Sequence, residues 1–218
     1  MCGIAAFIGE AADLELLELA AIEGAAPRGP HSWGWAWWLG EWSRIVGDGP
    51  LPGPPDSCAP ARVILGHSRL ATSGAAAGDA PPPEAGQPIV VDGIALAHNG
   101  TVRDVPLAAE HLNLPEPETS DSVLLAVAAS RATGPLTSRL GSAVTFLAGG
   151  GHEHGFAPPG PAVIVLSDGR GIAVARVGEN GDRPHPLYRL ARPEGVYLTS
   201  RPFHDECELV GEGVTRVD

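Results

Sequence analysis

A cysteine directly behind the initiator methionine, at the head of the apolar run MCGIAAFIGE, constrains this chain more than any other feature. Residues 2–9, CGIAAFIG, are short, apolar and closed by Gly9, a pattern that predicts a buried strand. Its first residue would be held rigidly at a strand end. Removal of Met1 would leave Cys2 with a free α-amine beside its own thiol. With pKa values of about 8.5 for a thiol and about 7.7 to 8 for an α-amine, proton transfer between them is uphill by only roughly 1 kcal/mol. Such a residue carries its own base, an established way to arm a Ser, Cys or Thr side chain. The plain alternative is a structural cysteine at the start of a core strand.

Three further stretches carry residue types suited to chemistry. In ARVILGHSRLATSG, residues 61–74, a strand from Val63 to Gly66 is expected to run into a polar turn that gathers Arg69, Thr72 and Ser73. An arginine flanked by hydroxyls suits a carboxylate, because the guanidinium offers a planar fork of donors; a structural salt bridge is the competing explanation. QPIVVDGIALAHNGTV, residues 87–102, predicts a hairpin ending in His98-Asn99-Gly100. Asn followed by Gly at a strand end can aim a side-chain amide and a backbone N–H the same way, and an oxyanion needs two such convergent donors. An ordinary Asn-Gly turn explains the same residues. TSDSVLLAVAASRA, residues 119–132, reads as a helix entered through Thr119, Ser120 or Asp121. Asp121 would either cap it or present a carboxylate to an ammonium group.

The rest of the chain reads as scaffold. Asp13 is the expected N-cap of a helix over DLELLELAAIEG, with Gly24 as its stop. Trp33, Trp35 and Trp37 alternate, so one face of a strand carries three indoles, either packed into the core or walling a pocket. Five prolines between positions 47 and 60 predict a loop around Cys58. A second helix is expected over Leu136 to Leu147, ended by the glycines of GGGHEHGFAPPG. His152 and His154 there lack a third ligand, so no metal site is expected. Five strand-like segments follow, and strands, then helices, then strands predict an α+β layered architecture in one domain over residues 1–218.

Charge and cysteine usage narrow the function classes. With 14 basic against 26 acidic residues, a formal charge of −12 argues against nucleic acid as a partner. Cysteines at 2, 58 and 207 form neither a metal spacing nor a disulfide framework, which points to a reducing compartment. The start of the chain has no signal-peptide pattern and no apolar run reaches about 18 residues, so a cytoplasmic protein without a membrane anchor is expected.

MCGI, RGPHSWGWAWW, GHSRLATSG, LAHNGTV, TSDSVLLA and LTSRP follow one another as they do in class II glutamine amidotransferase domains, and nearly the whole chain resembles that family. In its length and its SDG-R-x-I-A-V-A segment it is most similar to stand-alone members such as the ergothioneine-pathway γ-glutamyl hydrolases. The resemblance implies an N-terminal-nucleophile hydrolase: a four-layer α-β-β-α sandwich with Cys2 at the end of a central strand. It implies that Cys2 attacks the side-chain amide of glutamine, that Asn99 and the Gly100 N–H hold the oxyanion, and that no cofactor takes part. Arg69 with Thr72 and Ser73 would bind the α-carboxylate, and Asp121 the α-ammonium. Arg28, retained from the family's turn, and His98 are further candidates. His31 replaces an Asp of that turn, and Ser73 stands where the sugar-phosphate branch has His. Three functions are compatible: a glutaminase that supplies ammonia to a separate synthetase, a free-standing hydrolase of another γ-glutamyl amide, and a catalytically silent regulatory subunit.

Overall fold

Alternation along the first strand sets the layers. In a computed structural model, which describes residues 2–70, 86–102, 105–114, 120–153, 161–178 and 185–217, strand β1 spans Gly3–Gly9. Ala5 and Phe7 point into one buried cluster, and Ile4 and Ala6 into another. A strand apolar on both faces must be covered on both, and here a helical layer lies on one side and a second sheet on the other.

The first sheet contains β1, β2 (Ser32–Trp38), β3 (Trp42–Asp48), β4 (Val63–Arg69), β9 (Tyr188–Arg192), β10 (Gly195–Thr199) and β11 (Glu208–Leu209). Its order is β11-β9-β10-β1-β4-β2-β3, so β1 is central, flanked antiparallel by β10 and β4. The second sheet contains β5 (Ile89–Val91), β6 (Ile94–Asn99), β7 (Ala162–Ser167), β8 (Ile172–Val177) and β12 (Gly213–Val217), ordered β12-β8-β7-β6-β5. Between the sheets, Ile4, Ala6, Val63 and Leu65 meet Ala95, Ala97, Val163 and Val174. Helices α2 (Val105–His111), α3 (Asp121–Arg131) and α4 (Leu136–Glu153) cover the far face of the second sheet, where Leu124, Leu125 and Leu140 pack on Leu96 and Ile164. Helix α1 (Leu14–Leu19) and the turns after it cover the far face of the first. The result is the expected α-β-β-α sandwich.

Several local expectations hold. Asp13 caps α1, its Oδ1 accepting from the N–H groups of Glu15 at 3.0 Å and Leu16 at 3.1 Å. Asp92 and Gly93, at φ 46° and 77°, close the β5–β6 hairpin as a two-residue turn. Such a turn needs left-handed backbone at both positions, which Asp-Gly supplies. Cys58 is fully buried in the proline-rich loop, where desolvation pushes its thiol up to about 12 and leaves it unreactive.

Others are corrected. Gly24 does not stop the first helix: α1 continues as a π-helical turn, Ala20–Ala25, and a 3₁₀ turn, Ala26–Arg28. The glycine permits close approach instead, since a Cβ there would lie 2.0 Å from Thr199 Oγ1. Strand β4 does not end at Gly66 but runs to Arg69, because pairing with both β1 and β2 carries the polar residues His67 and Ser68 into the ladder. The backbone of α4 continues through residues 149–151, where glycines predicted a break. For Trp33, Trp35 and Trp37 the core alternative holds: they pack between the first sheet and α1. Trp35 is fully buried, and its Nε1 donates to Pro52 O at 3.3 Å. Among the described residues, no helix is long and apolar enough to cross a membrane.

Candidate active site

Strand alternation brings three polar side chains to the space between the sheets. On β4, Val63 and Leu65 face the second sheet, and His67 and Arg69 continue that face. On β6, Ala95 and Ala97 face the first sheet, and Asn99 follows them. Cys2, immediately before β1, lies where the two lines meet: Asn99 Nδ2 donates to Cys2 O at 2.7 Å. Trp33, Trp35 and Trp37 of β2 occupy the opposite face of the first sheet, whereas Trp38 and Trp42 pack against the core between the sheets.

The thiol is partly buried and held by the backbone of one residue, Leu70. Leu70 N donates to Cys2 Sγ at 3.4 Å, and Leu70 O lies 3.8 Å from the same sulfur. Desolvation pushes the Cys2 thiol above its ordinary value, opposed by the Leu70 N–H and by the positive charges of the chain terminus and Arg69, with Asp121 adding to the rise. Arg69 and Asp121 thus bring opposite charges to bear on one sulfur. Arg69 Nη1 is buried and has no hydrogen-bond partner among the described residues. An unpaired buried guanidinium N–H is costly unless an anion completes it.

Asp121 is not the helix cap. Ser120 caps α3, its Oγ accepting from Val123 N at 3.3 Å. The carboxylate is therefore free to reach back: Oδ2 accepts from Val102 N at 3.2 Å, and Oδ1 from Ser122 N at 2.8 Å and Ser122 Oγ at 3.3 Å. His98 points to the helical side of the second sheet, with Nδ1 3.2 Å from Ser122 Oγ and 4.0 Å from Asp121 Oδ2. Burial pushes His98 below its ordinary value, against the pull of Asp121. Between them, Gly100 has no room for a side chain: a Cβ would meet Ala162 Cβ at 2.7 Å and His98 Nε2 at 2.8 Å. Arg28 Nη1 donates to Ser200 O at 3.0 Å, which ties the end of the 3₁₀ turn to the residue just after β10, the strand beside β1. Burial, with Arg201 nearby, lowers the Arg28 guanidinium, while Cys2 acts on it in the opposite sense.

Of the residues expected from the sequence, Cys2, Arg69, Asn99, Gly100 and Asp121 converge, and Arg28 and His98 lie at the margins. Thr72 and Ser73 lie outside the described residues, as does His154. Among the described residues, no three His, Cys, Asp or Glu side chains are grouped to hold a metal. Two residues that sequence reasoning missed join the site. His67 Nε2 lies 3.2 Å from His98 O, and the Gln87 side chain bonds the same peptide. The one available signal was parity: His67 precedes Arg69 by two, so both share a face in any strand that reaches them.

No family model and no curated protein matches the sequence. Solved structures do match in fold. Glutamine phosphoribosylpyrophosphate amidotransferase from B. subtilis superposes with a TM-score of 0.67 at 17% identity, over 99% of this chain and 48% of that one. A glutamine aminotransferase class-II domain protein from Silicibacter pomeroyi gives 0.63 at 17%, over 100% and 99%. The allosteric regulatory enzyme of purine biosynthesis gives 0.65 at 18%, over 91% and 42%. The chain therefore spans about half the length of the B. subtilis enzyme and nearly all of the Silicibacter protein. It shares the fold of these proteins, two antiparallel sheets packed face to face between layers of helices.

Proposed function

We propose that this chain hydrolyses the γ-amide of glutamine through a thioester on Cys2, once Met1 has been removed. The observation that carries the proposal is the buried Nη1 of Arg69, without a partner among the described residues, acting with Asp121 on the same partly buried thiol. A small zwitterion with a reactive amide matches that arrangement: its carboxylate completes the guanidinium and its ammonium meets the carboxylate. The names of two proteins sharing the fold, a glutamine phosphoribosylpyrophosphate amidotransferase and a glutamine aminotransferase class-II domain protein, give further support.

The steps follow from the groups present. Burial keeps the Cys2 thiol protonated near neutral pH, so attack needs a base, and the α-amine exposed by processing stands on the same residue. Sγ adds to the amide carbon while its proton passes to that amine. The carbonyl oxygen becomes an oxyanion, held by the second N–H of Asn99 Nδ2, whose first serves Cys2 O, and by the Gly100 N–H. The amine returns the proton to the departing nitrogen and ammonia leaves. Water, activated by the same amine, then cleaves the thioester and releases glutamate. A separate synthetase is the proposed recipient of the ammonia. The idea of a different γ-glutamyl amide leaned on a tryptophan-lined pocket, and the three alternating indoles of Trp33, Trp35 and Trp37 lie on the other face of the sheet.

Arg69→Ala tests the substrate assignment. Leaving one charge of a buried pair alone costs about 2 kcal/mol or more, so KM for glutamine should rise roughly 30-fold or more while kcat changes less. Arg69→Lys should recover part of the loss, since it keeps the charge but not the fork. An unchanged KM in Arg69→Ala would place the carboxylate elsewhere.

A further inference from the structure

Asn99 and Gly100 follow a peptide held in an unusual way. Strand β5 begins at Ile89, opposite Leu96, so position 87 falls opposite His98. The side chain of Gln87 supplies what the strand does not: Oε1 accepts from His98 N at 2.6 Å, and Nε2 donates to His98 O at 3.1 Å. The same carbonyl receives a second side chain from the other sheet, His67 Nε2 at 3.2 Å. Both lone pairs of the His98 carbonyl are thereby used.

We propose that His67 and Gln87 are positioning residues, which together fix the His98 peptide and so set where Asn99 and Gly100 present their donors beside Cys2. The proposal rests on the assignment of Asn99 and Gly100 as oxyanion donors. His67 belongs to β4 and His98 to β6, so this bond ties the two sheets together at the strand ends that meet Cys2. The segment is tied again downstream, where Asp121 Oδ2 accepts from Val102 N. Glycine on the neighbouring strand admits the clamp: a Cβ at Gly34 would lie 2.1 Å from Gln87 O.

Chemistry fixes the state of His67. A carbonyl can only accept, so Nε2 carries the proton and Nδ1 is the bare nitrogen. Nδ1 is buried without a partner among the described residues, and His67 is fully buried. Protonation would bury a charge with nothing to meet it, and desolvation accordingly lowers the ring to about 3. The donor to His98 O is therefore constant across physiological pH. An apolar side chain would fill this position without an orphaned nitrogen, which singles out the hydrogen bond as the reason for a histidine.

His67→Leu, His67→Gln and Gln87→Glu test the proposal in the full chain. Gln at position 67 can donate from nearly the place of the imidazole Nε2, whereas Leu cannot. A small misplacement of catalytic donors can cost about 100-fold, so His67→Leu should lower kcat on glutamine by roughly 10- to 100-fold, with KM within about twofold. Amide exchange should quicken in residues 98–102 and stay unchanged in α3 and β1. His67→Gln should restore most of both. Gln87→Glu, which keeps the acceptor and loses the donor, should reproduce the lesion if His67→Leu fails to fold. Equal losses in the Leu and Gln variants, a loss confined to KM, or exchange that quickens uniformly would each overturn the proposal. If the parent protein releases no glutamate, the function assigned to the site fails, and the exchange pattern alone still decides whether the clamp exists.

Discussion

Cys2→Ser is expected to lower glutamine turnover by roughly three orders of magnitude or more, the scale seen when a nucleophile is removed from a site whose groups act as a unit. The unfolding midpoint should barely move. Among the described residues the sulfur is engaged by the N–H and carbonyl of Leu70, and serine keeps the side-chain shape. What is lost is the nucleophile. Burial already keeps the thiol protonated, so the parent depends on an amine whose ordinary pKa is about 7.7 to 8 and its rate should rise with pH through that range. Serine leaves the amine in place but gives it a far weaker acid to deprotonate. Turnover of Cys2→Ser equal to the parent's, measured by glutamate release, would refute the covalent mechanism.

Asn99→Ala should be the second largest effect. Removing one preorganised oxyanion donor typically costs about 10²- to 10³-fold in kcat, or roughly 3 to 4 kcal/mol of barrier. Here the same amide also holds Cys2 O at 2.7 Å, so the variant both removes a donor and loosens the nucleophile's own peptide. KM for glutamine should change little, because neither Arg69 nor Asp121 touches this amide among the bonds described. Asn99→Asp keeps the shape but turns a donor into a negative acceptor facing the developing oxyanion, and its kcat should fall at least as far. A defect confined to KM in either variant would move the oxyanion site elsewhere.

Much of the scaffold was legible from local pattern. Apolar runs located β1 and β7, the pattern of residues 87–102 announced the β5–β6 hairpin, and Asp13 located the start of α1. Each rests on forces within a few residues. What escaped depends on partners far along the chain. Gly66-His67-Ser68 looks like a turn until β1 and β2 pair with it on both sides, with the ring of Trp35 packed on Gly66. Alternating tryptophans announced a buried face without saying what covers it, and α1 does so rather than a substrate.

The candidate site divides in the same way. Cys2, Asn99, Gly100, Arg69 and Asp121 were all readable as chemistry, because thiol, amide, guanidinium and carboxylate each suit a particular role. That Ser120 rather than Asp121 caps α3 could be settled only by geometry, and so could the orphaned Nη1 of Arg69. His67 and Gln87 were invisible for a further reason. Both act on a backbone carbonyl, 31 and 11 residues away in sequence, and no side-chain pattern marks a carbonyl.

Intact-mass spectrometry before and after exposure to 6-diazo-5-oxo-norleucine, an electrophilic mimic of glutamine, tests the central claim most directly. The account predicts a protein that has lost Met1 and gains one adduct, mapped by fragmentation to Cys2 and prevented by excess glutamine. A processed protein that gains no adduct, or gains it equally at Cys207, would contradict a glutamine site built around the thiol of Cys2.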